Sequence, residues 1–154
     1  MPVPLLWFVI AVLALTVTAS PMVQEARGTL RLELSLSKSS FIVGEPVEAT
    51  LTLRHGGENP TRLQFTSGQR FDVLVRRGGT LVWRWSDDKA FVQVIQDLTL
   101  RAGETLTFKA VWSQQDLQGR RAAPGGYEIV GLFLGRAGEA PTGITTPALP
   151  FRIR

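Results

Sequence analysis

A chain of 154 residues makes one domain rather than two, and a domain of that size withdraws about two-thirds of its unfolded surface from water. The absence of cysteine excludes disulfides, thiol catalysis, cysteine zinc clusters and lipid attachment to an N-terminal Cys. The net charge of +4 comes from Lys and Arg spread along the sequence, which suits a soluble cationic protein better than a nucleic-acid binder.

Residues 5–17 (LLWFVIAVLALTV) are almost wholly apolar, and the small residues Thr18, Ala19 and Ser20 follow. This run is too short for a membrane-spanning helix of about 20 residues, but it matches the core of a signal peptide, with a small-residue cleavage pattern ending at Ala19. No Lys or Arg precedes it. Residues 1–20 are therefore expected to be a signal peptide or an uncleaved membrane anchor, and residues 21–154 an exported domain.

From there, apolar and polar residues alternate as they do in half-buried strands. Leu30, Leu32, Leu34 and Leu36 fall on one face, and Val47, Ala49, Leu51 and Leu53 on another. After the turn 55–60 (HGGENP) come Leu63 and Phe65, then Phe71, Val73 and Val75. Gly78 and Gly79 mark a hairpin before residues 81–85. Leu98 and Leu100 precede the turn 101–104 (RAGE), and Leu106, Phe108, Ala110 and Trp112 alternate again. Residues 127–134 are apolar on both faces apart from Glu128, the pattern of a central strand. Residues 144–153 close the domain, with Pro147 and Pro150 confining them to an edge. Turns recur at intervals typical of Greek-key sandwiches, and sustained helical spacing is missing. The expected fold is an all-β, Ig-like antiparallel sandwich of two sheets.

Several motifs then fall in order: FTSGQRFD (65–72), LVWRWS (81–86), LRAGE (100–104), Trp112 with Asp116 and Gly119, and PGGY (124–127). Their order and spacing resemble the BsuPI-type proteinase-inhibitor family, whose pattern runs F-x-S-G-Q-x-[YF]-D, V-W-x-W-S, P-G-E, W-x-x-x-D and P-G-x-Y. The resemblance covers roughly residues 45–134. This chain departs from it at His55, where Asn is common, at Ala102, which replaces Pro, and in carrying an export-like N-terminus although the namesake is intracellular. The resemblance implies a non-catalytic inhibitor with a protein partner, such as a serine protease, and no cofactor.

The motif residues Phe65, Gly68, Asp72, Trp83, Arg84, Trp112, Asp116, Gly119, Pro124, Gly125 and Tyr127 read as structural. Trp83 and Trp112 suit the core. Asp72 and Arg84 are placed to pair across neighbouring strands. Tyr127 stands where a sandwich tyrosine ties its hydroxyl back to the preceding loop. Gly68, Gly103, Gly119 and Gly125 are expected to supply positive φ at turns.

Catalytic and metal readings find little in the residue inventory. His55 lies in a Gly-rich turn with no cysteine to activate, and Asp87-Asp88 lacks the spacing of a calcium loop. Neither Arg76-Arg77 nor Arg120-Arg121 has the aromatic platform of a nucleic-acid site. If successive strands alternate in direction, loops 37–46, 66–70, 86–96 and 113–126 gather at one end and loops 55–60, 77–79, 101–104 and 135–143 at the other. The first end then presents Gln69, Arg70, Trp85, Asp87, Lys89, Arg120 and Arg121 to a protein partner. Residues 118–124 (QGRRAAP) are a candidate reactive segment. The alternative is an exported Ig-like interaction or assembly module without inhibitory action. Membrane contact is expected only through an uncleaved N-terminus.

Overall fold

A computed structural model describes residues 19–154. The expected signal or anchor core lies outside the described residues, among which no helix is long and apolar enough to cross a membrane. Among the described residues thirteen strands appear in chain order: β1 (Met22–Arg27), β2 (Leu30–Leu36), β3 (Ser40–Phe41), β4 (Val47–His55), β5 (Thr61–Phe65), β6 (Phe71–Arg77) and β7 (Thr80–Arg84). After a single 3₁₀ turn (Trp85–Asp88) come β8 (Gln96–Leu100), β9 (Thr105–Trp112), β10 (Gly125–Phe133), β11 (Arg136–Ala137), β12 (Ile144–Thr145) and β13 (Leu149–Ile153). The fold is all-β.

One sheet runs β1-β2-β4-β9, entirely antiparallel. The facing sheet runs β3-β13-β10-β6-β7, with β12 also paired to β10. Alternation determines the inner faces: Leu30, Leu32, Leu34 and Leu36 of β2 and Val47, Ala49, Leu51 and Leu53 of β4 are all buried. They meet Val73, Val75, Ile129 and Phe133 from the other sheet in one apolar cluster. At Gly131 the facing sheets leave no room for a side chain: an added Cβ would overlap Leu51 Cδ1 and sit 3.5 Å from Leu34 Cδ1. Trp112, fully buried, packs against Tyr127 (5.6 Å between ring centroids) and Phe151 (6.2 Å) and knits β9 to β10 and β13. β10 is covered on both faces only at its middle, where Ile129, Val130 and Gly131 are buried, while Glu128 is exposed.

Two features depart from the expected two-sheet plan. A third sheet, β11-β5-β8, contributes Leu63, Phe65 and Leu100 to the same apolar cluster. Strand β1 was not anticipated, because all of its residues except Val23 are exposed and it carries no apolar stripe. The C-terminal strand also differs from expectation: β13 lies inside its sheet, between β10 and β3. The short β3 pairs only with Arg152 and Ile153. Arg152 and Arg154 donate their amides to the carbonyls of Ser39 and Phe41. Pro150, two residues earlier on the same side of the strand, has no N–H to offer where β3 ends, so proline is tolerated there.

Gly78 (φ 55°) and Gly79 (φ 78°) form the hairpin between β6 and β7, with both central residues in the left-handed region that a two-residue turn of this hand requires. A bulge follows, since Val75 pairs with Trp83 but Arg76 pairs with Leu81. The Val82 carbonyl left over accepts the Leu117 amide at 3.1 Å, which fastens loop 113–124 along the β7 edge.

Candidate functional site

Loop 113–124, which carries Arg120 and Arg121, is braced at every turn. Gln114 has φ 59° and is fully buried. Its Oε1 accepts the Gly44 amide (2.8 Å), and its Nε2 donates to the carbonyls of Ile42 (2.8 Å) and Glu45 (2.6 Å). One side chain thereby stitches this loop to loop 42–45. Asp116 Oδ1 accepts the amides of Gln118 and Arg120, both at 2.9 Å, and its Oδ2 accepts Arg120 Nε at 2.8 Å. These bonds, led by the Arg120 amide, hold the Asp116 carboxyl below its ordinary pKa of 3.8. Farther on, the Tyr127 hydroxyl donates to the Ala123 carbonyl (2.6 Å). Arg77 donates to Tyr127 Oη and the Pro124 carbonyl, both at 3.1 Å.

The consequence is a curled segment. Within residues 118–124 the Arg120 side chain is thus tied to Asp116, and the exposed Arg121 reaches back over Gly44. Gly103, Gly119 and Gly125 have positive φ (74°, 78° and 139°), but Gly68 does not. Gly68 serves by donating its amide to the Val92 carbonyl at 2.8 Å, a backbone docking rather than a turn conformation.

A second loop region surrounds the 3₁₀ turn. Asp72, buried on β6, accepts the amides of Val73 (2.9 Å) and Ser86 (3.1 Å) at Oδ1 and the Ser86 hydroxyl (2.6 Å) at Oδ2. The expected pairing with Arg84 is a marginal 4.0 Å contact, because Arg84 sits opposite Leu74 rather than Asp72. Trp85 stacks on Phe71 (4.1 Å), which stacks on Phe108 (4.7 Å), so an aromatic column runs from the core to the turn. Lys89 Nζ lies 4.5 Å over the Trp85 ring and donates to the carbonyl of Trp85. Asp87 and Asp88 are exposed and line a shallow depression with Trp83, Arg84 and Asp116.

Loop 66–70 belongs with residues 91–96. Arg70 lies over the Phe65 ring (4.0 Å), and its Nη2 donates to Gln96 Oε1 (2.6 Å). Gln69 donates through Nε2 to the Phe71 carbonyl.

The expected grouping of loops is corrected by these contacts. Arg70 accepts the Leu134 amide beside the Phe71–Phe133 pair, whereas Arg120 belongs to the loop that enters β10 at Gly125. The two regions lie at opposite ends of β10, whose nine residues span about 26 Å at about 3.3 Å per residue. Hairpin 77–79 stands with loop 113–124, through Arg77, and not with the opposite end. The reason is topological: β5 pairs with β8 and β11 rather than with its chain neighbours, so simple strand alternation fails at that point. The 3₁₀ turn, with Trp85, Asp87 and Lys89, lies between the two regions.

His55 is buried, with Nε2 against the Asn59 carbonyl (2.6 Å) and Thr61 Oγ1 (3.2 Å) and Nδ1 accepting the Gly57 amide (3.2 Å). It organises its own turn, and its partners include no serine and no carboxylate. One feature was missed from sequence, the Gln114 stitch, which has no local signature; residues 92–95, inside the expected loop 86–96, are exposed.

Fold and site define a β-sandwich with two separate, heavily braced loop regions. The chain belongs to the BsuPI family, the intracellular proteinase inhibitors, which matches residues 34–138. Among solved structures it is similar to the C-terminal domain of wzt, with a TM-score of 0.50 and 8% identity over 86% of this chain and 78% of that one. A CARDB domain from Pyrococcus furiosus in complex with di-metal ions aligns at TM-score 0.44 and 14% identity, over 85% of this chain and 94% of that one. Alkylpurine DNA glycosylase AlkC from Pseudomonas fluorescens, bound to DNA containing an abasic site analog, aligns at 0.47 and 15% identity. That alignment covers 82% of this chain but only 30% of AlkC. At such identities the likeness to wzt concerns the fold alone. No curated protein matches the chain.

Proposed function

We propose that this protein is a non-catalytic proteinase inhibitor that binds its target non-covalently through surface loops of the sandwich. The observation that carries this reading is the family match over residues 34–138. The braced loops support it, since a loop held before binding loses little conformational freedom on complex formation. The partner is an endopeptidase of the serine class. The apolar run 5–17 adds that the inhibitor works after export, on an envelope or secreted enzyme or on one that threatens the cell from outside.

The test is titration of the full chain against serine endopeptidases of differing specificity. Stoichiometric, reversible inhibition with the chain recovered intact supports the proposal. Rapid digestion, or indifference across the panel, refutes it in favour of an exported interaction module.

A further inference from the structure

Residues 91–95 (FVQVI) join the 3₁₀ turn to β8 without helix, turn or bend. Val92 is 69% exposed, Val94 45% and Ile95 67%. A single exposed valine is ordinary, but a contiguous apolar patch is the mark of an interaction surface. No charged residue occurs between Lys89 and Asp97. Among the described residues, the backbone amides of residues 91–95 donate to no protein acceptor. The segment is nevertheless held along its length. Phe91 packs toward Trp85 (6.1 Å), the Val92 carbonyl accepts the Gly68 amide (2.8 Å), and Gln96 is gripped by Arg70 (2.6 Å).

A fixed, unbent stretch with open backbone donors and outward apolar side chains is a template for pairing with another strand. Peptide-binding clefts recognise such a stretch by main-chain hydrogen bonds, with pockets for alternate side chains. We infer that residues 91–95 are the segment that enters the protease cleft, and that the partner is an endopeptidase with apolar subsites for an extended peptide. This rests on the inhibitor reading above. It takes the place of residues 118–124, where Arg120 is tied to Asp116 and Arg121 folds back over Gly44.

The experiment compares the full-length wild type with Val94→Asp, Ile95→Asp and Arg120→Ala, measuring inhibition of trypsin-like, chymotrypsin-like and subtilisin-like enzymes, melting temperature and sedimentation. The expected result is preferential inhibition of the apolar-selective enzymes, weakened about tenfold or more by either aspartate. Melting should be unchanged by either aspartate, and inhibition unchanged by Arg120→Ala. Wild-type-like inhibition by both aspartate variants overturns the assignment while leaving the inhibitor reading standing, as does loss of inhibition confined to Arg120→Ala. Inhibition of nothing by the wild type overturns the inhibitor reading itself, and the assignment with it. A dimer that either aspartate dissolves overturns the assignment in favour of self-association.

Discussion

Ser86 donates its hydroxyl to Asp72 Oδ2 at 2.6 Å and its amide to Oδ1 of the same carboxylate at 3.1 Å. One buried side chain on β6 thereby holds the first turn of the segment that carries Trp85 and, beyond it, the exposed residues 92–95. Asp72→Ala leaves the Ser86 and Val73 amides without their acceptor. The expected loss is about 1–3 kcal/mol, read by urea denaturation, with faster hydrogen exchange at Ser86. Ser86→Ala, which spares both amide bonds, should cost less.

Gln114, itself buried, combines a left-handed backbone with three side-chain hydrogen bonds, and two substitutions separate the contributions. Gln114→Ala loses the stitch and keeps the backbone strain; Gln114→Gly loses the stitch and relieves the strain. Both are expected to be destabilised, Ala by about 3 kcal/mol. Gly should be the more stable of the pair by about 1 kcal/mol, as thermal or chemical melts will show.

Loop 113–124 should respond to acid through Asp116. Its carboxyl is held below 3.8 in the folded loop, so the charged form contributes stability that is complete above that value. The contribution is lost as pH falls through the lower, folded-state pKa. Amides of Gln118 and Arg120 are expected to lose exchange protection in that acidic range. Asp116→Asn should remove this acid dependence and leave the loop equally open at neutral pH.

Close approach, rather than turn conformation, explains two glycines. A Cβ at Gly131 would overlap the Leu51 side chain, whereas one at Gly143 would overlap the backbone carbonyl of Phe133. A buried leucine has some freedom to rotate, but a carbonyl fixed in a strand has little. Gly131→Ala should therefore cost about 1–3 kcal/mol and Gly143→Ala more, measured as shifts in melting temperature.

The alternation of Leu30 to Leu36, Val47 to Leu53 and Leu106 to Trp112 made β2, β4 and β9 legible, because each has one face buried and one wet. The β6–β7 hairpin was legible from its two glycines. Strand β1 was not, since a strand exposed on nearly all sides leaves no period in its residues. The third sheet was hidden for another reason: Thr61 to Phe65 pair with residues more than thirty positions away, and no local pattern records that. The same crossing misled the assignment of loops to ends, and so joined Arg70 to Arg120. Asp72 was visible as a strand-registering group, but its partner depended on register: Arg84 falls opposite Leu74 and leaves Ser86 to meet the carboxylate.

Pro150 and the bond from Leu117 to Val82 act at opposite flanks of the six-stranded sheet. One withholds a donor where β3 stops; the other occupies an acceptor that the bulge exposed. Together they blunt both margins against stacking of further copies into fibrils, a hazard for any sheet whose edge strands lie open.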